Sequence, residues 1–288
     1  MPRVLVVGCG YLGRATADLF QHAGWEVEVW RKSAGSVAQI SLGNHPIAAV
    51  DISDRNQVAN RAGKFDIVIH CASTRGGDAD AYRALYFSGA SNLLDRFAGS
   101  TLIFVGSTSV YAQRNGEWVT EESPADPRHE RGRILRETEC LVLNQGGIVT
   151  RLAGIYGPGR SYLLERFLSG QATSDPTDDR FVNQVHRDDA AAALFLLANE
   201  ESATRAQIFN VADDQPLLRS ECYRWLARKL NRDIPPAKKA ASAEKRGRSS
   251  KRVSNARLRA LGWLPQFSTF ADAMEKSILP TFAITAVD

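Results

Sequence analysis

Between the apolar run Val4–Val7 and a stretch of helical period lies Gly8-Cys9-Gly10-Tyr11-Leu12-Gly13. This G-x-G-x-x-G spacing constrains the fold more than any other feature of the chain. A strand that enters a helix through so tight a turn opens a βαβ unit. Gly8 permits the turn, Gly10 lets the backbone approach a ligand, and Gly13 lets the helix lie against the strand. The unpaired N–H groups of the first helical turn then face a pyrophosphate at the positive end of the helix dipole. The turn therefore predicts a dinucleotide site built by Gly8, Gly10, Tyr11, Leu12 and Gly13.

The remaining pattern fits a parallel sheet. Glu26–Trp30, Ile47–Val50, Phe65–His70, Thr101–Val105 and Gly147–Leu152 read as further strands. Helical segments over 12–22, 80–97 and 131–143 alternate with them. Right-handed crossovers arrange six such strands in the order 3-2-1-4-5-6, a doubly wound α/β Rossmann fold. Beyond Tyr156-Gly-Pro-Gly159 the pattern is less regular, with helices over 187–198 and 219–230 and a strand over 207–211. This predicts a Rossmann domain over 1–157 and a smaller C-terminal substrate-binding lobe over 158–288. Residues from about 183 to 211 are expected to pack back onto the first domain. Pro235–Arg252 is rich in basic charge, poor in large apolar residues, and reads as an exposed loop.

A net charge of +4 over 288 residues suits an anionic small molecule and does not argue for nucleic acid. Cys9, Cys71, Cys140 and Cys222 form no C-x-x-C pair, so no metal site is expected. They read as buried free thiols of a reducing compartment. No signal peptide and no membrane span is expected, which points to the cytoplasm.

The end of the second strand bears on the cofactor. A dinucleotide with a free ribose 2′-hydroxyl calls for an acid there, and a 2′-phosphate calls for arginine. Arg31, Lys32 and Ser33 stand where the acid would be, which favours NADP(H) over NAD(H). Asp51 either accepts from the adenine amino group or caps a turn.

With these residues in place the chain resembles the extended short-chain dehydrogenases/reductases, specifically the NAD-dependent epimerase/dehydratase family. The resemblance is carried by Asp66-Ile-Val-Ile-His-Cys-Ala72, Gly106-Ser-Thr-Ser-Val-Tyr111, Thr120-Glu-Glu-Ser-Pro124 followed by Pro127, and Arg151-Leu-Ala-Gly-Ile-Tyr-Gly-Pro158. It continues through Val185-His-Arg-Asp-Asp-Ala190, Val253-Ser-Asn-Ala-Arg-Leu258 and Leu261-Gly-Trp-Leu-Pro265. It implies that Asp51, Ile52, Cys71, Ala72 and Ser73 line the cofactor, and that Tyr156 and Pro158 line the nicotinamide pocket. His186 and Asp189 are read as structural. The basic stretch from Lys238 to Arg252 lies where family members often contact a nucleotide-diphosphate substrate, but it reads first as a solvated loop.

The family's chemistry uses a Tyr and a Lys spaced Y-x-x-x-K, a preceding Ser or Thr, and an Asn. In the register set by Glu121, Pro124, Pro127 and Gly132, the Ser is Ser107. Arg131 takes the Tyr position, Leu135 the Lys position and Tyr86 the Asn position. Arginine stays protonated and cannot serve as a general base, and leucine cannot lower a phenol pKa. The chain is thus similar to an atypical family member. Thr108 and Ser109 stand where 4,6-dehydratases carry an Asp-Glu pair, which argues against that elimination. Candidates for the missing acid–base group are Tyr86 and His129, assisted by Ser107; the alternatives are a core tyrosine and a solvated histidine. Arg131 either grips a phosphate or carboxylate of the substrate, beside Thr108 and Ser109, or is a surface residue. Two functions follow. One is an NADP-dependent oxidoreductase or epimerase-like enzyme acting on a hydroxyl or carbonyl of a small molecule, phosphorylated or nucleotide-linked. The other is a non-catalytic NADP(H) binder or redox sensor. Relatives dimerise through the helices that here carry Tyr86 and Arg131, but the second is heavily charged, so monomer and homodimer both stay open.

Overall fold

The computed structural model describes residues 1–33, 35, 45–74, 76–175, 177, 179–237 and 249–282. Its centre is a seven-stranded sheet of β1 (Arg3–Val7), β2 (Glu26–Arg31), β3 (Ile47–Ala49), β4 (Ile67–His70), β5 (Thr101–Ser107), β6 (Ile148–Leu152) and β7 (Ile208–Val211). The order across it is β7-β6-β5-β4-β1-β2-β3 and every pairing is parallel. The six strands expected from the sequence keep the order 3-2-1-4-5-6, and β7 extends that sheet beside β6. Both faces of the sheet are covered, so its strands read as near-continuous apolar runs: Val4, Leu5, Val6, Ile69, Ile103, Phe104, Ile148 and Val149 are fully buried.

Helix α1 (Tyr11–His22) follows β1 directly, as the glycine turn requires. Helix α2 covers residues 79–96 and is not regular. Its middle, Arg83–Ser88, is wound as a π-helix between α-helical Ala79–Tyr82 and Gly89–Arg96. The buried His70 ring bonds through Nε2 to the Leu85 carbonyl at 3.1 Å. A side chain that engages a helical carbonyl disturbs the i→i−4 ladder there, which accounts for the local rewinding. Helix α3 is Glu130–Asn144, α4 is Arg187–Asn199 and α5 is Arg219–Leu230.

Behind β5 and β6 lies a buried polar network. The Arg151 guanidinium donates to both Glu139 carboxylate oxygens, at 3.0 and 2.8 Å, and to the Tyr111 hydroxyl at 2.8 Å. Tyr111 shares its proton between Asn210 Oδ1 and the Thr120 carbonyl, at 2.8 and 2.9 Å. The Asn210 amide donates to Glu121 at 2.7 Å. Arg136 pairs with Glu139 from the same helix. Each charge is answered, as burial demands.

The second half contributes a separate apolar cluster of Tyr156, Leu163, Leu164, Phe167, Cys222, Tyr223, Leu226, Phe270 and Met274. Three short strand pairs frame it: 154–156 with 184–186, 181–182 with 217–218, and 117–119 with 251–253. The last pair corrects the expected basic loop. Lys251 is only 5 % exposed within a strand, and burial lowers its amine to about 8. Lys238–Arg248, the rest of that basic stretch, lies outside the described residues. The thiols also need correction: Cys9 and Cys222 are buried, Cys71 is half-buried and Cys140 is exposed on α3. No described helix is long and apolar enough to cross a membrane.

Candidate functional site

The glycine turn sits where β1 ends beside β4. Gly8 has φ +92°, and a Cβ there would lie 2.4 Å from the Ala72 backbone. A Cβ on Gly13 would lie 2.3 Å from the Gly8 carbonyl oxygen. Gly10 differs: nothing lies within 4 Å of its would-be Cβ. Two of the three glycines thus permit close packing, and the third leaves an open backbone cradle at the start of α1. The cradle fits a pyrophosphate, and the Tyr11 and Leu12 amides begin the helix beside it. Cys9 is buried in the turn, and burial pushes its thiol up to about 11 against the pull of the nearby Arg31 charge.

Arg31, at the end of β2, carries a buried Nη1 with no hydrogen-bond partner. Lys32 is engaged with Asp51 at 3.2 Å. Asp51 also accepts from Ser53, at 3.0 Å from its amide and 2.7 Å from its hydroxyl. Its partial burial raises the carboxyl, but the Ser53 and Lys32 hydrogen bonds prevail and hold it below its usual value. Asp51 therefore caps a turn. Ile52 is buried, and its carbonyl accepts from the buried Asn92 at 2.9 Å. Ser33 is exposed at the strand end.

Cys71, Ala72 and Ser73 continue from β4 alongside the turn; the Cys71 amide donates to the Val7 carbonyl at 2.8 Å. Tyr86 projects from the π-wound part of α2 onto this segment. Its ring stacks on His70 with centroids 6.1 Å apart and meets Phe104 edge-on at 6.2 Å. Its phenol bonds Ser73 and the Thr74 backbone. Burial pushes the phenol pKa up and outweighs these hydrogen bonds. His70 is fully buried and lowered to about 4, so it stays neutral under the ring. Tyr82 packs on Tyr86 at 5.0 Å, and the Arg131 guanidinium lies 5.7 Å from the Tyr82 ring centre. Arg131, Tyr82, Tyr86 and His70 thus form one stack from α3 to β4.

Ser107 ends β5 and accepts from the Ser109 amide at 3.1 Å, capping the single turn Thr108–Val110. Its hydroxyl proton is still available to a ligand oxygen. Thr108 is buried and Ser109 exposed. His129 is exposed at the N-cap of α3 and makes no capping bond. Leu135 is buried in the main core. The structure brings Tyr86 and Arg131 into one stack; His129 and Leu135 stand outside it.

Tyr156 turns its ring into the second core, stacked on Phe270 at 6.3 Å, with a buried, unpartnered phenol oxygen. The Pro158 carbonyl accepts from the Tyr11 hydroxyl at 2.9 Å. His186 and Asp189 make structural bonds: Nδ1 of His186 accepts from the Asp188 amide at 3.2 Å, and Asp189 accepts from the Gln266 and Phe267 amides at 2.6 and 3.0 Å. Sequence reasoning missed His70, hidden in an apolar strand, and Arg160 and Arg187, whose guanidinium groups lie 5.4 and 5.0 Å from the Tyr11 ring centre. Among the described residues no group of His, Cys, Asp and Glu could hold a metal.

Comparison with known proteins identifies the family and the fold. The profile of the NAD dependent epimerase/dehydratase family matches residues 4–212. Protein YeeZ of Escherichia coli K12 is 29% identical over 249 residues, covering 82% of this chain and 86% of that protein. A structure from Methylobacillus flagellatus, provisionally described as an NAD-dependent epimerase/dehydratase, is 28% identical with TM-score 0.76 over 95% of this chain and 96% of that one. The fold is also shared with a UDP-glucose 4-epimerase of Thermotoga maritima solved with UDP-glucose, at 19% identity and TM-score 0.77, covering 94% and 96%.

Proposed function

The chain belongs to the NAD-dependent epimerase/dehydratase family, and from that premise we propose that it is an NADP(H)-dependent oxidoreductase whose proton donor is Tyr86. The observation that carries this reading is the Tyr86 phenol, held neutral by burial against Ser73 and the Thr74 backbone. That segment packs directly on the glycine turn. A bound nicotinamide supplies or takes a hydride. What this chain must supply is a proton at the oxygen that gains negative charge, and a protonated phenol suits that role better than an arginine. Ser107 holds the same substrate oxygen. The favoured direction is therefore carbonyl reduction, with Tyr86 as acid and not as base.

Arg31 supports the NADP(H) preference: its buried, unpartnered Nη1 is suited to a 2′-phosphate, whereas Lys32 is already paired with Asp51. The substrate class is a small carbonyl or hydroxyl compound, phosphorylated or nucleotide-linked, with Arg131, Thr108 and Ser109 as its contacts. The UDP-glucose of the Thermotoga epimerase motivates testing nucleotide sugars first. Free thiols suit a cytoplasmic setting.

Isothermal titration with NADPH and NADH, for the wild type and Arg31→Ala, tests the cofactor half. We expect Arg31→Ala to weaken NADPH by roughly 10- to 100-fold, the range of a charge-assisted hydrogen bond, and NADH by less than about twofold. Equal losses for both would sink the preference. NADPH oxidation against nucleotide-linked keto sugars tests the chemistry. Tyr86→Phe should lower the rate by about 100-fold or more with NADPH affinity retained. A second reading, a non-catalytic NADP(H) binder, is favoured by Leu135 in the core and Arg131 on Tyr82. It predicts tight binding and no oxidation with any carbonyl.

A further inference from the structure

The geometry points to Tyr11 as a positioning residue that ties the glycine turn to the 154–160 segment, so that the nicotinamide half of the cofactor depends on it and the adenosine half does not. This inference rests on the dinucleotide reading of the site.

Position x in G-x-G-x-x-G serves the phosphates through its backbone, so phosphate binding places no demand on its side chain. Here that side chain is long, aromatic and polar-tipped, and it leaves the helix for a distant part of the chain. The Tyr11 hydroxyl donates to the Pro158 carbonyl, 147 residues on, at 2.9 Å. Arg160 and Arg187 present their guanidinium groups to its ring at 5.4 and 5.0 Å. The receiving loop is shaped for this approach. Gly157 has φ +153°, and a Cβ there would lie 2.6 Å from the Tyr11 hydroxyl and 3.2 Å from His186 Nε2. Reciprocal backbone bonds between Gly157 and Arg160, both 3.0 Å, close the loop and set Arg160 in place.

The ring is not packed in on every side. On its outer side lies a groove of about 460 Å³, shared with Arg14, Asp18 and Leu19. The hydrogen bond anchors its hydroxyl, and the two cations flank its ring. Burial keeps the phenol protonated, hence a donor.

The direction of the effect follows from the sheet. β2 and β3 flank β1 on one side, and β4, β5 and β6 on the other. Arg31, the adenosine-side group, ends β2, whereas the loop that Tyr11 grips follows β6. Loosening the tether should leave the first side untouched and unfasten the second.

The test titrates 2′,5′-ADP, which carries only the adenosine half, and NADPH, which carries both. Nicotinamide fluorescence of bound NADPH serves as a second readout. Tyr11→Phe keeps the ring and loses the hydrogen bond. It should weaken NADPH by about 3- to 10-fold, shrink the fluorescence change, and leave 2′,5′-ADP within about twofold. Arg160→Ala, which removes one cation and leaves the turn intact, should repeat the split at about 2- to 5-fold. Parallel losses for both ligands, or no loss for either, overturn the tether alone. If the wild type binds neither ligand, the cofactor reading falls and the tether falls with it.

Discussion

The glycine turn and the far end of β5 lie at the same carboxyl end of one parallel sheet, yet they relate to the family differently. At the turn, the proposed function resides in the backbone: Gly8 and Gly13 permit contacts of 2.4 and 2.3 Å that a side chain would block, and Gly10 leaves open space. Past β5, function resides in side-chain identity. There, on the proposed reading, Arg131 and Leu135 stand in place of the two groups on which the family's proton transfer depends, above a buried polar framework. Arg151, Glu139, Tyr111 and Asn210 still form a closed network that sets α3 against β5 and β6. Chemistry can thus leave a scaffold whose supporting charges stay, because removing the latter would cost folding as well as rate.

Breaking that network is the harshest test of the comparison. Glu139 and Arg151 are both about fully buried, so Glu139→Ala leaves a guanidinium without its carboxylate. The expected loss is about 3–5 kcal/mol in denaturant unfolding. A loss below about 1 kcal/mol would mean that the network does not carry the framework.

The two kinds of glycine provide the next test. Gly8→Ala meets the Ala72 backbone and an unfavourable positive φ, and should lose about 2–4 kcal/mol of stability. Gly10→Ala, facing open space at φ −91°, should change stability by under about 0.5 kcal/mol yet weaken NADPH tenfold or more. If Gly10→Ala binds normally, the cradle is not where the pyrophosphate sits.

What could be read from the sequence follows the same division. Glycine spacing and β-branched runs report backbone geometry, so the turn and the six-strand order are legible, whereas the reading of Arg131 and Leu135 as replacements rests on the register of the resemblance alone. β7 reads as a strand from its sequence, but nothing local says that 208–211 joins the sheet edge beside β6. Lys251 reads as loop because basic charge masks a strand whose partner, 117–119, is remote. The π-wound stretch of α2 depends on a contact between His70 and Leu85, fifteen residues apart, and no helical period encodes it. Arg160 and Arg187 gain meaning only from Tyr11, which they reach through tertiary structure.

The smallest expected effect concerns pH, and it decides which residue stands in for the lost tyrosine. Burial, the dominant influence on Tyr86, raises its phenol above the ordinary value. A proton donor is active while protonated, so its contribution is full below its pKa and fades only as pH rises through it. With that pKa raised, NADPH-dependent reduction should vary by less than about twofold between pH 6 and 9. A donor with a pKa inside that interval would instead lose activity across it. Rates measured over this range, with NADPH and substrate saturating, separate the two. A marked fall across this range, together with loss of reduction in His129→Ala and none in Tyr86→Phe, would transfer the acid role from α2 to the N-cap of α3. The replacement would then lie two residues from the lost tyrosine position, instead of on the opposite helix.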